Sequence, residues 1–370
     1  METFRPYSFD KPLFFTTVVL IVLGALMVMS ASGVFAEQTY QKKLFFFSQQ
    51  VIGAVAVTAL VMILLRIRKP FYKSPVFIFA LLGLTLVMLL VVLVLPPVAK
   101  TNRWLVLGGF RFQPSELAKI SLVLFLAWFL DKKRDRIGEL KVLLLPLGIV
   151  ALFSALIIRE PDFGTGVLVL AICLVVLFLG GVRLKHFAWI SLAVIPPLAV
   201  FLISAPYRIN RIMAFFSPQS SLESLNFQVT QSKIAVGSGG LFGVSFGESV
   251  QKMFFLPCSH TDFIFAIIGE EFGLLGALIV ISLFAVLVWR GILISMKAPD
   301  FFSQLAAAGL ALFLGFQAML NITVVLGLAP AKGVPLPLIS YGRSSLVCTI
   351  LAVGLLLHIS ERHGDKRSAA

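Results

Sequence analysis

Apolar positions in this chain come in long unbroken runs. They form neither the stripes of an amphipathic helix nor the alternation of a strand. Ten such runs lie at about 12–34, 44–65, 75–97, 114–130, 142–158, 162–180, 186–206, 262–289, 302–326 and 339–360. A helix crosses a bilayer in about 20 apolar residues. The pattern therefore predicts an all-α integral membrane protein of ten transmembrane helices, with residues 1–370 forming one polytopic domain. A closed barrel would need segments of alternating polarity, and these runs are continuous. The first run is too long for a signal-peptide core and no small-residue cleavage site stands out after it, so it reads as a retained helix.

Composition agrees. Of 370 residues 59% are hydrophobic, and a mean hydropathy of +1.01 lies outside the range of soluble globular chains. A net charge of +14 could point to nucleic acid, but the placement of the charge excludes that partner. Arg66, Arg68, Lys69 and Lys73 fill one loop, Lys132, Lys133, Arg134, Arg136 and Lys141 another, and Arg183 and Lys185 a third. Arg362, Lys366 and Arg367 follow in the tail. Basic residues collect in alternate loops on the cytoplasmic side. Both termini are thus expected inside, with 361–370 a short cytoplasmic tail, and part of the excess serves attraction to anionic membrane lipid. Cys173 and Cys348 fall within helices and Cys258 stands alone in a loop, so no disulfide framework or metal cluster follows.

Most loops are short. The exception, 207–261 between the seventh and eighth predicted helices, lies on the outer face. It carries Tyr207, Arg208 and Arg211, an amphipathic stretch from Phe227 to Val236, and then Gly237-Ser238-Gly239-Gly240. Those glycines lack the Lys-Ser/Thr of a phosphate-binding loop and read as a turn. A second outer loop, 96–113, holds Lys100, Arg103, Trp104, Arg111 and Gln113.

Candidate chemistry gathers at the outer ends of the runs. Asp262 closes a polar loop where a long apolar helix begins, with water on one side and low dielectric on the other. Ionisable groups at such depth are functional hypotheses, although Asp is also a favoured helix N-cap. Thr261 or Ser259 could cap instead. In Phe112-Gln-Pro-Ser-Glu-Leu-Ala-Lys119, Glu116 and Lys119 share a helix face. They either neutralise each other or leave Lys119 as a point charge for phosphate, with Arg111 assisting. Arg159-Glu160-Pro161-Asp162 crowds three charges into one turn, through solvation or through function. Arg208, Arg211, Lys233 and Lys332 add outer cations, suited to a lipid-linked phosphate or diphosphate. Glu270 and Glu271 lie roughly 12–14 Å deeper than Asp262 along the helix and need partners, with Arg343, Gln317 and Asn321 as candidates. Three prolines in 329–342 forbid regular helix, so the chain bends or re-enters there.

Five blocks together resemble the SEDS family (shape, elongation, division and sporulation). They are Phe112 to Lys119, Pro161-Asp-Phe-Gly-Thr165, Gln231-Ser-Lys-Ile-Ala-Val-Gly-Ser-Gly-Gly240, His260-Thr-Asp-Phe-Ile-Phe-Ala266 and Pro335-Leu-Pro-Leu-Ile-Ser-Tyr-Gly342. They occur in family order, and the stretch Phe263 to Glu271 resembles the division branch more than the elongation branch. The resemblance implies a peptidoglycan glycosyltransferase that polymerises lipid II, with Asp262 as the catalytic carboxylate. Glu116 and Lys119 match motif positions in the same cavity, and substrate or diphosphate contacts are expected at these two and at Asp162, Lys233, His260, Thr261 and Ser340, with Arg111, Arg208, Arg211 and Lys332 flanking. It also implies a class B penicillin-binding transpeptidase as partner, among other proteins of a division or elongation complex. A divalent cation (Mg2+ or Mn2+) would suit the diphosphate, although no ligand cluster demands one. Two departures stand out. Arg343 replaces the second glycine of the family's Ser-Tyr-Gly-Gly-Ser-Ser, and Cys258 and Ser259 stand where Glu often precedes His-Thr-Asp. Arg343 is expected either to reach Glu270 or Glu271 or to alter the packing of the last helix.

Two other readings share these features. A lipid II flippase needs polar groups through the bilayer midplane and broken-helix repeats. Here the polar groups sit at the outer ends. A non-catalytic scaffold of the division complex would tolerate loss of Asp262.

Overall fold

The computed structural model describes residues 9–67, 70–97, 101–108, 110–204, 206–216, 223–330 and 332–367. Helices α1 (Lys11–Tyr40), α2 (Phe45–Leu65) and α3 (Pro75–Val94) lead into a two-stranded antiparallel hairpin. Its strands β1 (Leu105–Leu107) and β2 (Phe110–Phe112) pair Val106 with Arg111. Then follow α4 (Pro114–Lys132), α5 (Leu140–Arg159), α6 (Phe163–Leu179), α7 (Leu184–Ile203), α8 (Pro206–Phe216), α9 (Glu223–Ser238), α10 (Ile264–Lys297), α11 (Phe301–Val325) and α12 (Arg343–Arg367). Each predicted apolar run is one helix. The hairpin was not anticipated.

Among the described residues eight helices are long and apolar enough to cross a membrane: α1, α2, α3, α5, α7, α10, α11 and the 343–361 part of α12. Helix α6 is apolar but has 17 residues. Helix α4 carries Glu116, Lys119, Asp131 and Lys132. It is nevertheless buried along nearly its whole length, packed against α3, α6 and α11. Leucine, isoleucine and valine side chains of α2, α3, α5 and α7 point outward, as a lipid-facing surface requires.

Aspartates cap three helices. Asp10, Asp162 and Asp300 accept from the amides of Leu13 (2.9 Å), Thr165 (3.1 Å) and Ser303 (3.0 Å). Each satisfies an orphan donor of a first turn. At one end of the bundle Asp10 pairs with Arg290 of α10, its amide donates to Ser360 of α12 (3.0 Å), and Lys73 pairs with Asp300 (2.5 Å). The start of α1 and the last turns of α12 therefore meet on the same side.

The long loop differs from expectation. The segment 207–261 holds α8 and α9, and the amphipathic stretch at 227–236 extends to 223–238. Gly237 and Ser238 belong to the last turn of α9, and the chain turns only from Gly239 onward. The segment after α9 then enters a break in α10. Gly273 has φ 65° and ψ −160° inside α10, a region in which L side chains are strained. The break frees backbone groups of α10, and the loop takes them up. Val244 and Ser245 donate to the carbonyls of Glu270 (3.0 Å) and Glu271 (3.2 Å), while Leu274 and Leu275 donate to Gly240 (2.9 Å) and Leu241 (3.2 Å). Irregular backbone survives at this depth because protein satisfies it. The approach demands bare glycine: a Cβ at Gly239 or Gly243 would fall 2.0 or 2.1 Å from a carbonyl of α10.

The same insertion settles Glu270 and Glu271. Glu270 accepts from Ser249 and from the Val250 amide (3.0 Å). Glu271 pairs with Lys252 at 2.9 Å and accepts from Ser30 at 2.5 Å. The expected partners Arg343, Gln317 and Asn321 do not serve them. Arg343 lies beside Tyr341 instead, and the loop delivers to Glu271 a lysine that no reading of α10 alone could supply.

Candidate active site

Asp262 sits one residue before the cap of α10. Phe263 is that cap and makes no side-chain capping bond, so the carboxylate of Asp262 is not spent on capping, and neither Thr261 nor Ser259 takes that job. Among the described residues no hydrogen-bond donor meets its side chain. Its backbone is held firmly. Asn321 of α11 donates to the Asp262 carbonyl (2.7 Å) and to the Val334 carbonyl (2.7 Å). Ser340 donates to the Thr261 carbonyl (2.6 Å) and accepts from the Leu336 amide (2.8 Å). The proline-rich segment 329–342, which cannot be helical, is thus stitched to the Asp262 loop.

Burial drives the Asp262 carboxyl up from 3.8 to about 6, with Arg103 opposing the shift and Asp162 adding to it. A carboxylate with such a value is ionised at neutral pH yet basic enough to take a proton. Gly333 lies so close to it that a Cβ there would fall 2.9 Å from Oδ2, so only a glycine fits against the carboxylate. Next to Gly333, the stem of Lys332 lies against Gly164, and its ammonium is 5.7 Å from the Phe163 ring. Burial lowers the Lys332 pKa, and Asp162 opposes that shift.

The structure sorts the expected contacts into two groups. Lys119 is not a free phosphate ligand. Its ammonium is buried, donates to Glu116 (2.8 Å) and Gln317 (2.6 Å), and lies 4.7 Å from the Phe313 ring. Gln317 in turn donates to the Pro335 carbonyl (2.9 Å), so Glu116 and Lys119 brace the floor of the site through α11. Asp162 is fully engaged as well, accepting from Gln113 (2.9 Å) and from both Thr165 donors. The His260 ring packs among Phe35, Phe46 and Tyr341 at centroid distances of 5.5, 4.9 and 6.0 Å. Burial takes it down to about 4. It is neutral at physiological pH and supplies no cation for a diphosphate. Thr261 donates its hydroxyl to the Cys258 carbonyl (3.2 Å), and Ser340 is the bolt described above.

The second group is solvent-facing. Arg111 is exposed on β2, Arg211 on α8 and Lys233 on α9, where its stem approaches Gly327 at the end of α11. The side chain of Arg208 lies outside the described residues, as do Lys100, Arg68 and Lys69 and the side chains of Arg362, Lys366 and Arg367.

Three features escaped the sequence reading. Arg103, half-buried and 5.5 Å from the Trp104 ring, is the cation nearest in effect to Asp262; its pairing with Trp104 in a polar outer loop was the available signal. Gly333 is bare where the carboxylate points, and Asn321 secures the Asp262 backbone. A crevice of about 610 Å³ opens beside the site, lined by Leu90, Leu93 and Val94 of α3 together with Asn102, Arg159 and Pro161. Among the described residues no group of three or more His, Cys, Asp or Glu side chains could hold a metal ion.

A family model described as cell cycle protein, covering FtsW, RodA and SpoVE, matches residues 11–364. The chain belongs to the SEDS family. It is 37% identical to the probable peptidoglycan glycosyltransferase FtsW of Trichlorobacter lovleyi over 97% of this chain and 95% of that one. It is 38% identical to the stage V sporulation protein E of Bacillus subtilis, over 97% and 98%. Among solved structures it is similar to a chain of a peptidoglycan synthase complex that coordinates polymerization and crosslinking. That match has a TM-score of 0.78 and 30% identity, covering 96% of this chain and 98% of that one. It is also similar to Thermus thermophilus RodA, with a TM-score of 0.70 and 27% identity over 97% of both chains. The apolar helices and this membership make the chain a multi-pass protein of the bacterial inner membrane.

Proposed function

We propose that this chain is an inverting peptidoglycan glycosyltransferase that polymerises lipid II on the outer face of the inner membrane during septal synthesis. The observation that carries the reading is Asp262 itself. It is a half-buried carboxylate, free of protein donors among the described residues, fixed by its backbone and set against the bare Gly333. In this mechanism Asp262 takes the proton from the C4 hydroxyl of an incoming lipid II sugar. The oxygen attacks the anomeric carbon of the lipid-linked donor chain. The C1–O bond breaks, and undecaprenyl diphosphate departs with the electron pair. Inversion from an α-linked donor to a β-linked product needs one base and no covalent intermediate. General-base help supplies about 10²–10⁴ in rate. Arg103 and Lys332, with Arg111 at the rim, offset charge on the leaving diphosphate, a preorganised electrostatic contribution of similar or larger size. The crevice suits an amphiphile, since α3 offers an apolar wall for a polyprenyl chain below Arg159 and Asn102.

The same reading has α4 and α6 cross the membrane with the eight long helices, making ten spans in a SEDS-type bundle. The side where Asp10 meets Ser360 is then the cytoplasm. Glu116 and Lys119 of α4 are buried as a pair within the bundle, and Asp131 and Lys132 lie exposed at its far end, which removes the usual objection to spanning. A class B penicillin-binding transpeptidase is the expected partner, as the similarity to a chain of a peptidoglycan synthase complex suggests.

Purified protein with and without its transpeptidase, given labelled lipid II, tests this. Glycan ladders from wild type and none from Asp262→Asn are expected. No ladders from wild type with a verified partner present would overturn the enzyme reading in favour of transport or scaffolding.

A further inference from the structure

We propose that Glu160 is a positioning residue held in its protonated form, so that the charge of Arg103 is reserved for Asp262 and its substrate. The inference rests on the glycosyltransferase reading above and deepens it. Glu160 is fully buried, and neither carboxyl oxygen has a hydrogen-bond partner. It is the C-cap of α5, the carbonyl end of a helix dipole, which disfavours an anion. The charged groups that face it are Arg103, from the segment before β1, and Asp162, on its own turn. These same two groups act on Asp262. Arg103 also has a buried Nε without a partner, so its guanidinium is not saturated by protein.

Two carboxyls thus share one cation and one anion but differ in place: Glu160 is closed off from solvent at the carbonyl end of α5, whereas Asp262 lies at the mouth of α10 and is partly exposed. Burial and Asp162 push Glu160 up to about 9, with Arg103 opposing, whereas Asp262 reaches only about 6. Environments that drive paired carboxyls apart assign them different protonation states at one pH. At neutral pH Asp262 is the anion and Glu160 the neutral acid. Ionising Glu160 would place a second carboxylate against Arg103, weaken its hold on Asp262 and set negative charge beside the departing diphosphate.

The test compares polymerisation rates of wild type and Glu160→Gln, reconstituted with the transpeptidase, from pH ~7 to ~10. Gln keeps the shape and neutrality of the acid but cannot ionise. Lys332 and other groups titrate in both proteins, so their effects cancel in the ratio. The ratio of variant to wild type is expected to rise roughly tenfold across that range, because one pH unit above its pKa a group is about one-tenth protonated. Glu160→Leu, also neutral, is expected to show the same rise. A ratio independent of pH, or loss of activity at every pH in both neutral variants while they remain folded, would overturn the proposal. A second readout needs no activity. The infrared difference between wild type and Glu160→Gln at pH ~7 should contain the carbonyl stretch of a protonated carboxyl, which disappears above pH ~9. A carboxylate signal at pH ~7 would sink this inference while leaving the glycosyltransferase reading standing.

Discussion

Replacing Asp262 with Asn should make the protein more stable and far less active, two effects that a structural aspartate would not produce together. Burial lifts its carboxyl from 3.8 to about 6. The rise corresponds to a ceiling of about 3 kcal/mol against the ionised form. Asp262 is only half-buried, so solvent screening reduces this to about 1–2 kcal/mol. The sign follows from linkage. The folded protein holds this proton more tightly than the unfolded chain, so the stabilisation is complete below 3.8 and lost as pH rises through about 6. Above that value the wild type carries an ionised, poorly solvated carboxylate, and Asn does not. Thermal unfolding in detergent should therefore show Asp262→Asn melting above wild type at pH ~7.5, with the two converging near pH ~4. Glycan synthesis should fall by at least about 10²-fold in the variant, and wild-type synthesis should decline as pH drops through about 6. A variant that melts below wild type at pH ~7.5 would refute the electrostatic reasoning, and one that still makes ladders would remove Asp262 as the base.

Ser340→Ala should lose the bonds to the Thr261 carbonyl and the Leu336 amide, costing about 1–2 kcal/mol. It should lower kcat more than it raises KM, because the Asp262 loop loosens while the cations remain; an equal effect on both would argue against a positioning role. Lys252→Met leaves Glu271 buried without its cation and should cost about 3–5 kcal/mol, with most of the loss recovered when Glu271→Leu is added; a double variant no better than the single would contradict this account. Gly273→Ala puts a Cβ 2.5 Å from the Gly243 amide nitrogen at a left-handed φ of 65°, so it should unseat the inserted loop and lower the melting temperature more than Gly83→Ala in α3, where a Cβ would meet nothing within 4 Å.

Much of the architecture was legible one residue at a time. A bilayer imposes length and hydropathy on each segment separately, so ten apolar runs became ten helices with ends displaced by a few residues. Proline and glycine signals marked the irregular 329–342 segment and the turn after α9, because backbone restrictions are equally local. Asp262 was legible too, since an acid at the mouth of an apolar helix is conspicuous in any packing. The broken helix was not. Gly273 reads as one more small residue in an apolar run, and only the loop from 239 to 245, lying against it, shows why a glycine stands there.

The roles within the site were decided by partners distant in sequence. Lys119 had two readings until Gln317, 198 residues away, and the Phe313 ring filled its coordination. Glu271 waited for Lys252 and Ser30, and the Asp262 backbone for Asn321 and Ser340. A charge in a membrane protein must be neutralised, and its own helix face can announce that need. Which group meets it depends on the chain's return through space. The apolar segments and the conspicuous acid at the mouth of α10 were therefore legible in the sequence, because bilayer and backbone act on each stretch alone. Which cations remain free for a substrate was decided only by the tertiary structure, because pairing exhausts some of them and leaves others.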